Sequence, residues 1–227
     1  MKYIYAVLIA IFLVLNLTGC ASSVHIPRDS FVKISAEFLV AQCVDDSCLS
    51  DSRISTASGV IVDTKLKTYI LTAGHVCDID YAKMQLDATN ISATYYVQDV
   101  AGISWKAKVY RLDKANDMCL LVTQRLGHRP IDISYAPPVY GEKYYNLAGP
   151  AGIAGKTFVP VLEGRYSGFN QYSMLFTIPA QGGSSGSPIF DKDGKLVGMI
   201  MSVHRKFPIV SFSPHFHAIH DLLKGIE

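Results

Sequence analysis

The sequence predicts an all-β protein, a barrel or a sandwich, and three observations carry that prediction. Val32, Ile34, Ala36, Phe38 and Val40 alternate with other residues, the period of a half-buried strand. Short segments of strand-like composition then recur at Ser58–Asp63, Tyr69–Thr72, Ile91–Val97, Trp105–Arg111, Cys119–Thr123, Lys143–Ala148, Phe158–Leu162, Met174–Ile178 and Leu196–Val203, nearly all bounded by Gly, Pro, Asn or Asp. No long helical pattern separates them, as a parallel sheet would need. The one persuasive helix beyond the first residues closes the chain, where Ile219, Leu222, Leu223 and Ile226 fall at helical spacing.

A chain of this length holds one large β domain or two small barrels with an ample core. Pro137-Pro138 interrupts it between two groups of strands, which sets a boundary between halves spanning 31–135 and 136–227. The 21 Lys and Arg against 19 Asp and Glu are mixed along the chain. Without a polybasic stripe, nucleic-acid binding is disfavoured.

The amino terminus reads as an export signal. Lys2 is the one charge before an apolar run from Ile4 to Leu17, too short to span a bilayer comfortably. Leu17-Thr18-Gly19-Cys20 follows at once and resembles the lipobox of bacterial lipoproteins. That resemblance implies removal of residues 1–19, lipidation of Cys20, and a polar tether over residues 20–30. The expected location is the cell envelope, at the periplasmic face of the outer membrane in a Gram-negative cell. Cys43, Cys48, Cys77 and Cys119 remain, an even number that permits two disulfides in an exported chain but leaves three connectivities open. Their spacing suits no zinc site.

Three segments supply the groups that nucleophilic attack by a hydroxyl requires: a serine in a tight turn, a histidine to take its proton, and a carboxylate to orient the histidine. Thr72-Ala73-Gly74-His75-Val76 follows an apolar strand. Asn116-Asp117-Met118-Cys119-Leu120-Leu121 follows a charged loop, and Gly182-Gly183-Ser184-Ser185-Gly186-Ser187-Pro188 precedes Ile189-Phe190.

These segments, in this order, resemble trypsin-like peptidases of the bacterial kind, including the HtrA-type proteases and the glutamyl endopeptidases. The likeness extends to Ala57-Ser58-Gly59-Val60-Ile61-Val62, to Gly149-Pro150-Ala151-Gly152, and to Gly194-Lys195-Leu196-Val197-Gly198. It implies two antiparallel six-stranded Greek-key β-barrels with a C-terminal helix on the second. It also implies a serine endopeptidase with His75, Asp117 and Ser185 as catalytic triad and the amides of Gly183 and Ser185 as oxyanion hole. Asp113 is a competing carboxylate, but no Leu-Leu strand pattern follows it; Ser187 is the competing hydroxyl.

In such a fold the pocket walls are expected from Thr177 and Ala180 and from Met201-Ser202-Val203. Neither stretch holds a carboxylate for a basic side chain, and Ile200 stands where glutamyl endopeptidases carry histidine. An uncharged, small to medium apolar side chain is therefore the expected preference. Cys77 and Cys119, each two residues past a triad position, are expected to pair, and Cys43 with Cys48 to close a small loop. His215, His217 and His220 invite a metal, but the mechanism needs neither metal nor cofactor, and packing around the last helix is their commoner use. About forty residues follow Ser185, no room for the PDZ domain of HtrA proteins, and a monomer acting on proteins or peptides is expected. The competing readings are a catalytically silent, protease-like binding module of the envelope and a triad used on esters.

Overall fold

The computed structural model describes residues 23–44, 47–88 and 90–226. Six strands form the first barrel: β1 (Phe31–Val44), β2 (Ser47–Asp63), β3 (Thr68–Ala73), β4 (Asn90–Gln98), β5 (Ser104–Asp113) and β6 (Met118–Thr123). The order β1-β2-β3-β6-β5-β4 is closed by antiparallel pairing of β1 with β4, Ile34 opposite Val97.

Burial on one face or two explains where the sequence alternates and where it does not. Val32, Ile34, Ala36 and Phe38 of β1 point into the barrel with Ile61, Ile70, Cys119 and Leu121. The neighbours of those last residues, Val60, Leu71, Met118 and Leu120, point the other way, into a second core shared with Leu147, Phe190, Leu196 and Met199 of the following domain. β2, β3 and β6 are thus apolar on both faces over these stretches, which is why they read as continuous runs. They are also the wall on which the second domain rests.

That domain contains β7 (Lys143–Leu147), β8 (Val161–Phe169), β9 (Met174–Phe176), β10 (Pro188–Phe190), β11 (Leu196–Met199), β12 (Ser202–Val203) and β13 (Ser211–Ser213). They make a curled seven-stranded sheet of order β11-β10-β7-β8-β9-β13-β12. The sequence suggested one strand over Leu196–Val203 and six in all. The run instead breaks at Ile200–Met201 and changes partners: Ile200 donates to the Ser187 carbonyl, Met201 to that of Phe212. The two edges of the sheet are successive pieces of this one bent run.

Two short helices follow β3: α1 (Gly74–Cys77) and α2 (Ile79–Leu86). The sequence showed no helix here because α2 buries only Ala82, leaving little apolar periodicity. Its signal is the cap: the Asp78 carboxylate accepts from the amides of Asp80 and Tyr81. The terminal helix, α3 (Phe216–Leu223), was expected on the second barrel. Its Ile219 and Leu222 enter the core shared by both halves, and Arg111 of β5 donates to the carbonyls of Leu222 and Lys224 at its end.

The stretch expected as a tether is bound to the body from His25 onward. The His25 amide donates to the Lys192 carbonyl at 2.9 Å, and Ser30 is buried. The imidazole of His128 lies between Asp29 and Asp99, its Nδ1 2.9 Å from the first and its Nε2 2.6 Å from the second. Residues 1–22, which include Cys20, lie outside the described residues, as do the side chains of Cys43 and Cys48; the backbones of those two cysteines are opposite each other in the β1–β2 ladder. Among the described residues no helix is long and apolar enough to cross a membrane.

Candidate active site

β3 delivers His75 at the first turn of α1, and the turn before β6 delivers Asp117. Strands β3 and β6 pair directly, Ala73 opposite Met118, so the residues just beyond that pair meet. The Gly74 amide donates to the Asp117 carbonyl at 2.8 Å and the His75 amide to Asp117 Oδ1 at 2.6 Å. Asp117 takes a positive φ of 50°, a conformation that aspartate tolerates better than most residues. His75 Nδ1 lies 2.9 Å from Asp117 Oδ2, and Nε2 lies 2.9 Å from Ser185 Oγ. A carboxylate can only accept, so Nδ1 carries the hydrogen and Nε2 is left to accept from the serine.

Cys77 and Cys119 form a disulfide with their Cα atoms 6.4 Å apart. It ties the residue two past His75 to the residue two past Asp117. Tyr95 donates its hydroxyl to the Cys77 carbonyl; burial, and then the Asp78 charge, push its pKa up to about 12, which keeps it a donor. Lys114 bonds both Asp78 and Asp80, a further link between the loop before Asp117 and the helix after His75. Asp113, the competing carboxylate, caps its own turn through the amides of Ala115 and Asn116. Ser187 is fully buried and accepts from Asn146 Nδ2.

The serine turn is held at nearly every peptide. Ala151 N–H donates to the Gly182 carbonyl at 2.6 Å, Ser58 Oγ to the Gly183 carbonyl at 2.8 Å, Ser187 N–H to that of Ser184 at 3.0 Å, and Ser58 N–H to that of Ser185 at 2.9 Å. A planar trans peptide points its C=O and N–H in opposite directions. Fixing the Gly182 and Ser184 carbonyls therefore fixes the amides of Gly183 and Ser185, which donate to no other group among the described residues. Gly183 has φ +92°, and a Cβ there would strike the Gly149 carbonyl; Gly186 has φ +82° and abuts the Ser58 carbonyl and Thr72 hydroxyl. Only glycine satisfies both demands at either position.

His75, Asp117 and Ser185 open into one cleft of about 690 Å³, lined also by Ala180, Ile200, Met201, Ser202 and Val203. Thr177 does not line it. Phe176, Ile178 and Ala180 are buried with period two, which turns Thr177 outward, where its Oγ1 accepts from the Arg165 amide. Tyr81 reaches the cleft from α2 and Lys114 and Arg205 from turns, and none was singled out in the sequence. His215, His217 and His220 pack instead on Phe169, Phe216 and, for His220, also Tyr135.

Two domains about a cleft, with a hydrogen-bonded Ser, His and Asp between them, define a chymotrypsin-like fold. The family model for the trypsin-like peptidase domain matches residues 57–199, more than half of the chain, and the chain belongs to that family. A search of the curated proteins returned no match. Among solved structures the chain is similar to the active form of the Rv3671c protease from M. tuberculosis, with TM-score 0.67 and 16% identity over 88% of this chain and 82% of that one. It is similar to a serine endoprotease from Yersinia pestis, with TM-score 0.66 and 18% identity over 89% of this chain and 64% of that one. It is also similar to the HtrA-type protease AlgW, a serine-to-alanine variant with a decapeptide, with TM-score 0.68 and 16% identity over 87% of this chain and 63% of that one. The chain spans less than two thirds of the latter two.

Proposed function

We propose that this chain is an active serine endopeptidase of the cell envelope, anchored by lipid at Cys20, that hydrolyses peptide bonds through an acyl-enzyme. The observation that carries the reading is the continuous line from Asp117 through His75 to Ser185, each link 2.9 Å, at the wall of an open cleft. His75 Nε2 takes the Ser185 proton as Oγ attacks the carbonyl carbon, and returns it to the leaving amine. Asp117 holds the imidazole in the tautomer this needs. The amides of Gly183 and Ser185 meet the charge that develops on the carbonyl oxygen. Water, deprotonated by the same histidine, then releases the acyl group.

The buried Ala180 and Ile200, with the half-buried Val203, support a preference for an uncharged, small to medium apolar side chain before the cleaved bond. Ser184 is uncharged, so no ion pair to a newly cut amino terminus is available to order the turn. The hydrogen bonds already holding the turn support competence without processing.

To test the activity, the full chain in detergent is incubated with an unbiased peptide library beside Ser185→Ala. Cleavage should fall at least about a thousandfold in the variant. A folded wild type that cleaves nothing would instead assign the chain to the silent binding module. Cys20→Ala should abolish a lipid mass increment and release the protein from membranes; unchanged mass and fractionation would refute the anchor.

A further inference from the structure

We propose that Ser58, on strand β2 of the first barrel, is a positioning residue for the oxyanion hole of the second. The role rests on the peptidase reading above. Ser58 is fully buried, and its one hydroxyl makes two bonds to different loops: it donates to the Gly183 carbonyl at 2.8 Å and accepts from the Gly149 amide at 2.9 Å. A hydroxyl does both at once, which neither a carbonyl nor an ammonium can. The two loops it joins are the serine turn and the turn Gly149–Gly152.

What this junction controls is the direction of one amide. The Gly183 N–H belongs to the peptide whose carbonyl, Gly182 O, is held by Ala151 N–H at 2.6 Å. Ala151 presents that N–H from a left-handed backbone, φ 51°, which for alanine costs roughly 1 kcal/mol or more. Something must hold the Gly149–Gly152 turn against that preference. The Ser58 hydroxyl grips the turn at Gly149, two residues before Ala151, and grips the serine turn one peptide past the amide it aims. Remove the hydroxyl, and the Gly149 amide and Gly183 carbonyl are both left buried without this partner, free to part.

Ser58 therefore does for this turn what a buried ion pair could do elsewhere, with no charge and no dependence on a new terminus. The backbone of the same residue completes the hold: its N–H donates to the Ser185 carbonyl at 2.9 Å, and its C=O accepts from Thr72 Oγ1 at 2.8 Å. The hydroxyl positions the Gly183 amide, whereas the backbone positions the nucleophile and survives any substitution that keeps β2 in place. The two functions can thus be separated by mutation.

The experiment compares the full-chain wild type, Ser58→Ala and Ser58→Thr in detergent, on a p-nitrophenyl ester and with a peptide boronate as transition-state analogue. Ser58→Ala should lower kcat by roughly tenfold to a hundredfold, less than or equal to the loss of one oxyanion donor, with KM within about twofold. Boronate affinity should fall in step with kcat, and the pH profile of kcat should not move. Ser58→Thr keeps the hydroxyl but crowds a packed site, so it should lose thermal stability while retaining most of kcat. This crossed pattern is what a merely structural residue cannot produce. The role is overturned if kcat follows the melting temperature in both variants, or if a folded Ser58→Ala keeps kcat within twofold. A wild type that neither hydrolyses the ester nor reacts with a fluorophosphonate overturns the peptidase reading and this role together; an active wild type with an equally active Ser58→Ala overturns this role alone.

Discussion

In the first barrel β1 and β2 run for 14 and 17 residues, while in the second domain β9, β10 and β13 have three residues each and β12 has two. Within that barrel the six-residue strands β3 and β6 carry His75 and Asp117, adjacent across their pair and joined two residues further on by a disulfide. The short strands of the second domain carry Ser185 in a turn held by single hydrogen bonds, two of them reaching from Ser58 of the first barrel. The His75–Asp117 pair is thus built within one rigid sheet and Ser185 is docked to it. Damage to the first half should appear mainly as lost stability, and damage at the junction mainly as lost rate.

The largest expected effect is on the covalent side of that contrast. Cys77 and Cys119 are 42 residues apart, and a cross-link of that span contributes about 4 kcal/mol in the chain-entropy account. Cys77→Ala/Cys119→Ala should lower the unfolding free energy by about that much in urea titrations, with both side chains nearly fully buried. A loss under about 1 kcal/mol would show that the β3–β6 ladder suffices without it.

On the docked side, Gly183→Ala forces a Cβ toward the Gly149 carbonyl and requires a left-handed backbone of alanine. The Gly183 amide should turn from the cleft, costing on the order of a hundredfold or more in kcat, while the urea midpoint changes far less than for the disulfide variant. Equal kcat would mean that this amide does not face the reacting oxygen.

How much of this was legible in the sequence follows the same division. His75, Asp117 and Ser185 each sit in a local pattern, apolar strand then turn or turn then apolar strand, and local patterns survive in sequence. The double-faced burial of β2, β3 and β6 could be read as unbroken apolar runs, although not what lay on the far side. Ser58 carries no local signal, because its partners Gly149 and Gly183 are 91 and 125 residues away. Thr177 was placed in the pocket by nearness in sequence, and the two-residue period of an extended chain turned it out. The break at Ile200–Met201 was invisible for a similar reason: it is imposed by partners on two different strands, Ser187 and Phe212. Long-range polar contacts, not apolar pattern, are what the chain conceals.

The smallest effect tests whether the amino-terminal strap belongs to the rigid half. His128 has one ring nitrogen on Asp29, in the strap, and the other on Asp99, whose side chain is only 2% exposed. Neutral imidazole can donate from one nitrogen only, so both bonds are complete only when the ring is protonated. Partial burial disfavours the charge, but hydrogen bonds to Asp29 and Asp99 and their charges outweigh it and hold the pKa above the ordinary 6.5. A pKa raised on folding means stability that is fully present below about pH 6.5 and is lost as pH rises through the raised value. On the acid side Asp29 acts in the opposite sense: burial would raise its pKa, but the Arg129 amide and His128 outweigh this and hold it below 3.8, so its share is lost only as pH falls through that lowered value. His128→Asn should therefore be less stable than wild type by about 1–2 kcal/mol near pH 5.5, with the gap narrowing steadily toward pH 9. Urea unfolding of both proteins across that range measures it directly. A gap independent of pH would mean that packing of the ring, not its charge, fastens the strap to the first barrel.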